Sequence, residues 1–345
     1  MSPLKIAIVG ATGAVGAELI KLLEESRIPV SQLGLIASSR SAGRQITFRG
    51  GAWPVDVIEG ASNATFDLVF FSAGGAISLE WAPRFAASGA LVIDNSNAFR
   101  MNPDVPLIVP QVNSCALTSR PNRGIVANPN CSTIQLVRAI RPLVQALAIR
   151  QIVLTTYQAA SGGGLRGINE LLTGSKSVLD GTDESSSQRF PVSLAFNVIP
   201  QVGELSDDGV TLEERKLIQE SRKIFSLPEL KLTATCVRVP VTNGHSEAVY
   251  IESSECVSLN YVRELLSREQ GIQLYDHASC RPYPTPRLLE HHGDVHVGRI
   301  RVNPDDGRGL WMWVVANNLQ VGAALNAVQI AELAVRNRLV GEKCT

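Results

Sequence analysis

The chain has 345 residues, of which 45 % are hydrophobic and 19 % charged, and its formal net charge is zero. A chain of this length and composition is expected to form about two domains with substantial cores. The balanced charge gives no field that would attract nucleic acid or an anionic membrane, and no apolar run reaches the roughly 18 residues of a membrane span. The first five residues lead into a predicted strand without a signal peptide, so we expect a cytoplasmic protein.

Short strand-like and helical segments alternate through the first 130 residues. This alternation is typical of a doubly wound parallel sheet with helices on its faces. The predicted strands are residues 6–9, 33–37, 68–72 and 91–95, and the predicted helices are residues 17–25 and 76–88.

A glycine-rich turn follows the first predicted strand, where residues 10–16 read GATGAVG. Glycines at these spacings allow a tight turn, close approach of a phosphate to the backbone, and close packing of helix on strand. The turn therefore predicts a dinucleotide site, although many strand-to-helix turns need glycine for geometry alone. The candidate cofactor-binding residues of this turn are Gly10, Thr12, Gly13, Ala14 and Val15.

The loop after the second predicted strand indicates which dinucleotide would bind. An NAD site usually places an acidic residue there to bind the ribose hydroxyls, but residues 38–43 read SSRSAG. The guanidinium of Arg40 and the hydroxyls of Ser38 and Ser41 suit the 2′-phosphate of NADP. We therefore favour NADP as the cofactor, and a solvated polar loop is the alternative.

Cys131 precedes a largely apolar helical pattern that runs from residue 134 to residue 147. The unpaired N–H groups and the positive dipole end of a helix N-terminus favour a thiolate, which makes Cys131 a candidate nucleophile. A small buried core residue is the alternative. The other five cysteines lack close pairing, so we expect thiols rather than disulfides or zinc sites. His291 and His292 lack neighbouring cysteine or acidic ligands, and no metal is expected.

A second, β-rich domain on a mixed sheet is predicted after Cys131, and a final helical pattern, residues 321–340, should return to the first domain. The expected boundaries are 1–130 with 320–345 for the first domain and 131–319 for the second. The predicted strands of the second domain are residues 152–158, 233–240, 248–252, 295–302 and 310–316.

Two polar residues flank the end of one predicted strand of this second domain. Arg238 lies in an otherwise apolar strand, which is costly unless the guanidinium meets an anion such as a substrate carboxylate. His245 follows in or just after a turn, where an imidazole can act as a base toward a thiol or as an acid toward a carbonyl oxygen. The alternatives are a structural salt bridge for Arg238 and a backbone-bonded turn residue for His245.

Nine segments together resemble the aspartate-semialdehyde dehydrogenase family across nearly the whole chain. Besides the two loops above, they are DNSNAFR (94–100), NPNCST (128–133), YQAASGGG (157–164), LAFNVIPQ (194–201), LEERK (212–216), RVPVTNGHSEAV (238–249) and GAALNAVQIAE (322–332). The resemblance implies a Rossmann-type NADP-binding domain and an α+β catalytic and dimerisation domain, as in dehydrogenases of the glyceraldehyde-phosphate-dehydrogenase-like type. It implies reversible, NADPH-dependent reductive dephosphorylation of 4-phospho-L-aspartate to L-aspartate 4-semialdehyde and phosphate, in lysine, threonine and methionine biosynthesis.

The resemblance also implies a role for individual residues. Cys131 would form a thioacyl enzyme, His245 would act as acid and base, and Gln158 would orient the acyl group. Arg238 would bind the α-carboxylate of the small-molecule substrate and Glu213 its ammonium. The expected phosphate-binding residues are Asn95, Arg100 and Lys216, and further candidate cofactor contacts are Ser72, Gly74, Ser161, Gly162 and Asn318.

Spacing alone gives a simpler interpretation of Glu213 and Lys216, which would form an ordinary surface ion pair on one helix face. The chain also departs from the family pattern, because uncharged residues replace common charges at Gln111, Asn317, Gln320 and Val321. These departures affect cofactor binding and subunit contacts more than the catalytic set.

Two alternative functions are retained. One is a related acyl-phosphate reductase, such as an N-acetylglutamyl-phosphate reductase, and the other is a non-catalytic NADP-binding paralogue. Retention of Cys131, Gln158, Arg238 and His245 together argues against the paralogue. The family resemblance further implies a homodimer formed through the second domain, and twofold dimers are the commonest oligomers in general.

Overall fold

The computed structural model describes residues 2–61, 64–182, 188–275, 279–289 and 293–341. The chain divides into two compact units, the first comprising Met1–Asn130 with Ala323–Thr345 and the second Cys131–Gly322. In the part of the chain that is described, no helix combines the length and apolar character needed to cross a membrane.

The structure contains strands and helices in both units. The strands are β1 (Leu4–Val9), β2 (Val30–Ala37), β3 (Gln45–Phe48), β4 (Gly51–Val57), β5 (Leu68–Phe71), β6 (Leu91–Asp94), β7 (Ile125–Ala127), β8 (Ile149–Gln158), β9 (Leu232–Arg238), β10 (His245–Ser253), β11 (Ile272–Leu274), β12 (Val295–Val302) and β13 (Gly309–Ala316). The α-helices are α1 (Ala14–Glu25), α2 (Ile58–Ala61), α3 (Gly75–Ala87), α4 (Pro110–Asn113), α5 (Cys131–Ala146), α6 (Gly164–Leu179), α7 (Leu212–Phe225), α8 (Leu259–Ser267) and α9 (Leu325–Arg336).

The first unit is built on a seven-stranded sheet with the order β3-β4-β2-β1-β5-β6-β7. Its neighbouring strands are parallel except for the antiparallel pair β3–β4. The segments LVFF of β5 and LVID of β6 are apolar except for Asp94 and are buried at every position, as expected of central strands in a parallel sheet. The predicted doubly wound sheet is therefore confirmed, although the hairpin β3–β4 and the edge strand β7 were not among the predicted strands.

The C-terminal helix α9 packs in the core of the first unit, where it contacts α1 and β6. It is shorter than the predicted 321–340, because Gln320–Ala324 forms a π-helical turn and the regular helix spans Leu325–Arg336. The apolar stripe of α9 is buried against α1, which accounts for the helical periodicity of this segment.

The second unit is built on a six-stranded sheet with the order β11-β12-β13-β10-β8-β9. Antiparallel pairs join β12, β13, β10 and β8, whereas the outer pairs β11–β12 and β8–β9 are parallel. Helix α5 packs against β12 and β13, and α7 packs against β9 and α5. The mixed sheet predicted for this part of the chain is confirmed.

Candidate active site

Cys131 is the first residue of α5, three residues before the start of the predicted helical pattern. Its side chain is partly exposed, whereas the neighbouring Ser132 and Thr133 are fully buried. Gly322 lies directly against it, since a Cβ atom there would be 2.6 Å from the Cβ of Cys131. The sequence interpretation missed Gly322, although this glycine opens the GAALNAVQIAE segment.

Gln158 and Arg238 are register partners at the carboxyl ends of the parallel strands β8 and β9. His245 opens the neighbouring strand β10, adjacent to the register pair Ser246–Tyr157. Because side chains alternate across a sheet, Arg238, Gln158 and His245 lie in one row on the same face, which we call the first row. Strand β9 ends at Arg238 rather than at residue 240, since proline at that position has no N–H to donate.

His245 is fully buried, and its Nδ1 accepts a hydrogen bond of 3.0 Å from the Ala159 backbone N–H. This bond places the proton of the neutral ring on Nε2, which has no hydrogen-bond partner among the described residues. Burial, with a further contribution from the Arg238 guanidinium, lowers the pKa of His245 to about 3, and Glu213 opposes the shift. The ring is therefore neutral near pH 7 and presents an unused N–H donor.

Arg238 is buried and donates a 2.7 Å hydrogen bond from Nη1 to the Ala159 carbonyl oxygen. Its guanidinium lies over the Phe190 ring, 5.6 Å from the centroid, and the Gly162 backbone lies beside it. Burial lowers the pKa of Arg238, and the carboxylate of Glu213 opposes that shift. A buried cation in this position is suited to bind an anionic group.

Glu213, in the first turn of α7, contacts the first row. Gln158 Nε2 donates to Ser132 Oγ at 2.9 Å and to Glu213 Oε1 at 3.3 Å, and Lys216 Nζ donates to Glu213 Oε2 at 3.1 Å. The Glu213–Lys216 pair thus forms at the predicted spacing. However, the Glu213 side chain is only 8 % exposed, so the interpretation as an ordinary surface ion pair is wrong. Ser132 was not anticipated from the sequence.

Ser161 and Asn318, two candidate cofactor contacts, lie together in the second unit. Ser161 Oγ is 3.0 Å from Asn318 Oδ1, which also accepts a 2.9 Å bond from the Gly244 backbone N–H. The adjacent Asn317, one of the departures from the family pattern, accepts from Asn243 Nδ2 at 3.2 Å. The asparagines therefore hold the turn before His245 through neutral hydrogen bonds.

The glycine-rich turn of the first unit is shaped by close backbone contacts. Gly10 has a φ of +93°, and a Cβ atom on it would lie 2.4 Å from the Ser72 carbonyl oxygen; one on Gly16 would lie 2.1 Å from the Gly10 oxygen. Thr12 Oγ1 is 3.3 Å from Ser41 Oγ. These backbone contacts leave no room for a side chain at Gly10 or Gly16 and keep the turn tight before the N-terminus of α1, where a dinucleotide phosphate would fit.

Other predicted cofactor residues surround this turn in sequence and structure. Gly13 is the N-cap of α1, so Ala14 and Val15 provide N–H groups of its first turn. Ser38 precedes the 3-10 turn Ser39–Ser41, in which the Arg40 side chain is exposed. Gly74, with a φ of +92°, is the N-cap of α3.

Asn95 and Arg100 lie together after β6. Arg100 is buried, with Nε donating to the Asn128 carbonyl oxygen at 2.9 Å and Nη2 to that of Asn95 at 2.8 Å. Asn128 Nδ2 also donates to Asn95 Oδ1 at 2.7 Å. Lys216, the third predicted phosphate-binding residue, belongs to the second unit.

The remaining departures from the family pattern have local explanations. Gln111 Nε2 donates to Gln329 Oε1 at 2.7 Å within the first unit, and Val321 is fully buried within the π-helical turn Gln320–Ala324. His291 and His292 lie outside the described residues. Within the described ranges no three histidine, cysteine or acidic side chains are grouped as metal ligands, and His296 Nδ1 is 3.2 Å from the Tyr275 hydroxyl.

Comparison with known proteins identifies the family. Residues 5–120 match the NAD-binding domain of semialdehyde dehydrogenases, and residues 140–321 match their dimerisation domain. The chain is 45 % identical over 337 residues to the aspartate-semialdehyde dehydrogenase of Aquifex aeolicus, covering 97 % of this chain and 99 % of that protein.

Comparison with solved structures points to the same family. The crystal structure of aspartate semialdehyde dehydrogenase II complexed with ASA from Vibrio cholerae is 42 % identical, with a TM-score of 0.93 over 97 % of this chain and 99 % of that chain. The Candida albicans enzyme with NADP is 25 % identical, with a TM-score of 0.76 over 98 % and 100 % of the two chains. The first unit is therefore an NAD(P)-binding domain, and the chain belongs to the aspartate-semialdehyde dehydrogenase family.

Proposed function

We propose that this protein catalyses the reversible NADPH-dependent reductive dephosphorylation of 4-phospho-L-aspartate to L-aspartate 4-semialdehyde and phosphate, in lysine, threonine and methionine biosynthesis. The observation that carries the proposal is the first row, in which a buried cation, an amide and a neutral imidazole with an unused N–H lie side by side. Cys131 begins a helix in the same unit, as the thiolate nucleophile of such a reaction requires.

In the proposed mechanism the Cys131 thiolate attacks the acyl carbon of the substrate. The carbon–oxygen bond to phosphate then breaks, and phosphate leaves with the electron pair, so that a thioester remains on the enzyme. Bound NADPH would supply a hydride to the thioester carbon. Collapse of the resulting thiohemiacetal releases the aldehyde and regenerates the thiolate.

His245 is suited to donate from Nε2 to the acyl oxygen. Negative charge develops on that oxygen when the thiolate attacks and again when hydride arrives, and one well-placed donor typically contributes about 3 kcal/mol to the transition state. The Ala159 N–H bond to Nδ1 keeps the proton on Nε2. Backbone N–H groups at the start of α5 would assist, and Gln158 would orient the acyl group.

Recognition of an amino-acid substrate is assigned to Arg238 and Glu213. The guanidinium would bind the α-carboxylate and the buried carboxylate would bind the ammonium, both through charge-assisted contacts. Asn95, Arg100 and Lys216 would bind the phosphate. An N-acetylated substrate has no ammonium for the Glu213 carboxylate to bind, so N-acetylglutamyl-phosphate reductase is not favoured.

We propose NADP as the cofactor. The tight glycine turn before α1 is suited to a dinucleotide phosphate, and the exposed guanidinium of Arg40 follows β2, where the 2′-substituent of the adenosine ribose would lie. Ser38 and Ser41 would add hydroxyl donors. The presence of NADP in the solved structure of the Candida albicans relative supports the same choice.

We also propose a homodimer formed through the outer face of the six-stranded sheet. This face carries the aromatic pairs Tyr157–Trp313 and Tyr250–Trp311, with centroid distances of 5.4 and 5.0 Å, and they adjoin a cavity of about 400 Å³. Exposed aromatic patches are typical of subunit interfaces. Light scattering should give twice the chain mass for the native protein and the chain mass for Trp311→Glu; a native monomer would contradict the proposal.

The proposed activity is tested in the reverse direction with L-aspartate 4-semialdehyde, phosphate and NADP, followed by NADPH absorbance. Because Cys115, Cys256 and Cys280 are also exposed and Cys344 lies outside the described residues, alkylation is done in a background where these four are serine. Phosphate-dependent NADPH formation that alkylation abolishes is expected. No activity from folded protein that binds NADP would favour another acyl-phosphate reductase or the silent paralogue.

A further inference from the structure

Glu247 lies on the same face of the six-stranded sheet as the first row, next to that row and further from the strand ends. It is two residues beyond His245 on β10, so both side chains project from the same face of the sheet. Its register partner on β8 is Thr156, whose partner on β9 is Cys236. Cys236, Thr156 and Glu247 therefore form a second row, one step further from the strand ends than Arg238, Gln158 and His245.

Gln135 faces this second row from helix α5. It lies four residues after Cys131, so the two side chains are one turn apart on the same helix face. Both Gln135 and Glu247 are fully buried. Gln135 is thus one helical turn from Cys131, and Glu247 is one step along the same sheet face from His245.

Four polar atoms of the pair Gln135–Glu247 lack partners. Neither carboxyl oxygen of Glu247 and neither amide atom of Gln135 has a partner of hydrogen-bond geometry among the described residues. The Gln135 amide is nevertheless close enough to interact with the carboxyl. Buried polar groups in proteins are paired almost without exception, so a small rotation that joins these two side chains is the natural arrangement.

A neutral carboxyl and a primary amide are complementary. Burial raises the pKa of Glu247 well above its ordinary value, which favours the protonated carboxyl, and the Gln135 amide offsets the shift in part. The carboxyl O–H can then donate to Gln135 Oε1 while the carboxyl C=O accepts from Gln135 Nε2. This two-bond ring satisfies all four atoms at once.

We propose that Glu247 is a positioning residue, whose carboxyl pairs with the Gln135 amide and fixes the first turn of α5, with the Cys131 thiol, relative to the strand that carries His245. The role deepens the proposed function and rests on it. Thr156 and Cys236 from the sheet also face this carboxyl, and burial raises the pKa of Cys236, which keeps that thiol neutral.

The test compares Glu247→Gln, Glu247→Leu and the control Glu252→Gln, which changes a half-buried carboxylate on the same strand. The readouts are the pH profile of iodoacetamide alkylation at Cys131, measured by peptide mass, and kcat and KM of the reverse reaction. Exposed Cys115 in the first unit is the internal reference for alkylation. Circular dichroism checks folding of each variant.

We expect Glu247→Gln to stay within about twofold of the native protein, because two amides form the same two-bond ring. Glu247→Leu should lower kcat and the Cys131 alkylation rate by about tenfold to a hundredfold, with KM nearly unchanged, since small misplacements of reacting groups are costly. Native behaviour of Glu247→Leu, or a Glu247→Gln as impaired as Glu247→Leu, would overturn the proposal.

Gln135→Leu gives an independent test if Glu247→Leu does not fold. It should reproduce the loss in thiol reactivity. The double variant Gln135→Leu with Glu247→Leu should react no more slowly than either single variant, because it leaves no polar group buried without its partner. Additive losses would contradict the pairing. If the proposed function is wrong, the native protein will lack turnover, but Glu247→Leu will still change the alkylation profile of Cys131. Failure of the proposed function is therefore distinguishable from failure of the pairing.

Discussion

Gln158 and Arg238 lie side by side at the carboxyl ends of two parallel strands, 80 residues apart in the chain. Gln158 holds Glu213 through its amide, and Arg238 is held by the carbonyl of Ala159, the residue after Gln158. The end of β8 therefore positions both Glu213 and Arg238, the two side chains proposed to bind the charged ends of the substrate. A displacement at either residue is expected to reach both contacts.

Cys131→Ser should lower turnover by more than about a thousandfold, the scale of loss seen when a nucleophile is removed. A serine alkoxide is hard to form near pH 7, and an oxygen ester accepts hydride less readily than a thioester. NADP affinity should stay native, as measured by quenching of tryptophan fluorescence. Native-like turnover would defeat the covalent mechanism.

Arg238→Lys should raise KM for the semialdehyde by about tenfold to a hundredfold, the range of a charge-assisted hydrogen bond. An ammonium cannot hold the Ala159 carbonyl and a substrate carboxylate with the planar fork of a guanidinium. Arg222→Lys is the matched control, because Arg222 also donates to a backbone carbonyl, that of Leu230. Equal kinetics for both variants would remove Arg238 from substrate binding.

His245 should make the protein less stable as the pH falls. Its folded pKa of about 3 lies below the usual value near 6.5, so the unfolded chain binds more protons between these values. The stabilising contribution is complete above pH 6.5 and declines by at most about 1.4 kcal/mol per pH unit toward pH 3. The thermal midpoint of His245→Gln should fall less than that of the native protein between pH 7 and pH 5; parallel declines would contradict this assignment.

Gly322→Ala should lower kcat, because the added methyl group would overlap the Cβ and the Cα of Cys131, at 2.6 and 2.9 Å. Small displacements of the nucleophile can reduce the rate by up to about a hundredfold. Gly60→Ala is the control, since its nearest neighbour, a Val57 methyl, is 3.9 Å away. Native rates of both Cys131 alkylation and turnover in Gly322→Ala would show that the contact is without consequence.

Arg40→Ala should raise KM for NADP by about tenfold and leave KM for NAD nearly unchanged, because only NADP carries the 2′-phosphate that the guanidinium would bind. Initial rates with each cofactor at saturating semialdehyde and phosphate give the ratio directly. If both KM values rise equally, Arg40 stabilises the turn rather than binding the 2′-phosphate.

Much of this protein was determined by local sequence. The GATGAVG turn, the strand and helix periodicities and a cysteine before an apolar segment each depend on interactions within a few residues, and they predicted the doubly wound sheet, the mixed sheet and the helix that follows Cys131. The helix and strand ends were less accurate, because a π-helical turn and a proline altered them.

Tertiary structure decided the environment of each polar group. Sequence spacing alone made Glu213 and Lys216 a surface pair, but packing of α7 buries the carboxylate against Gln158. The tautomer of His245 depends on a backbone N–H 86 residues away. Burial and strand register set the environment of Glu213 and the tautomer of His245. Neither can be read from local sequence, because the energy of a buried charge or hydrogen bond depends on neighbours that only the fold brings together.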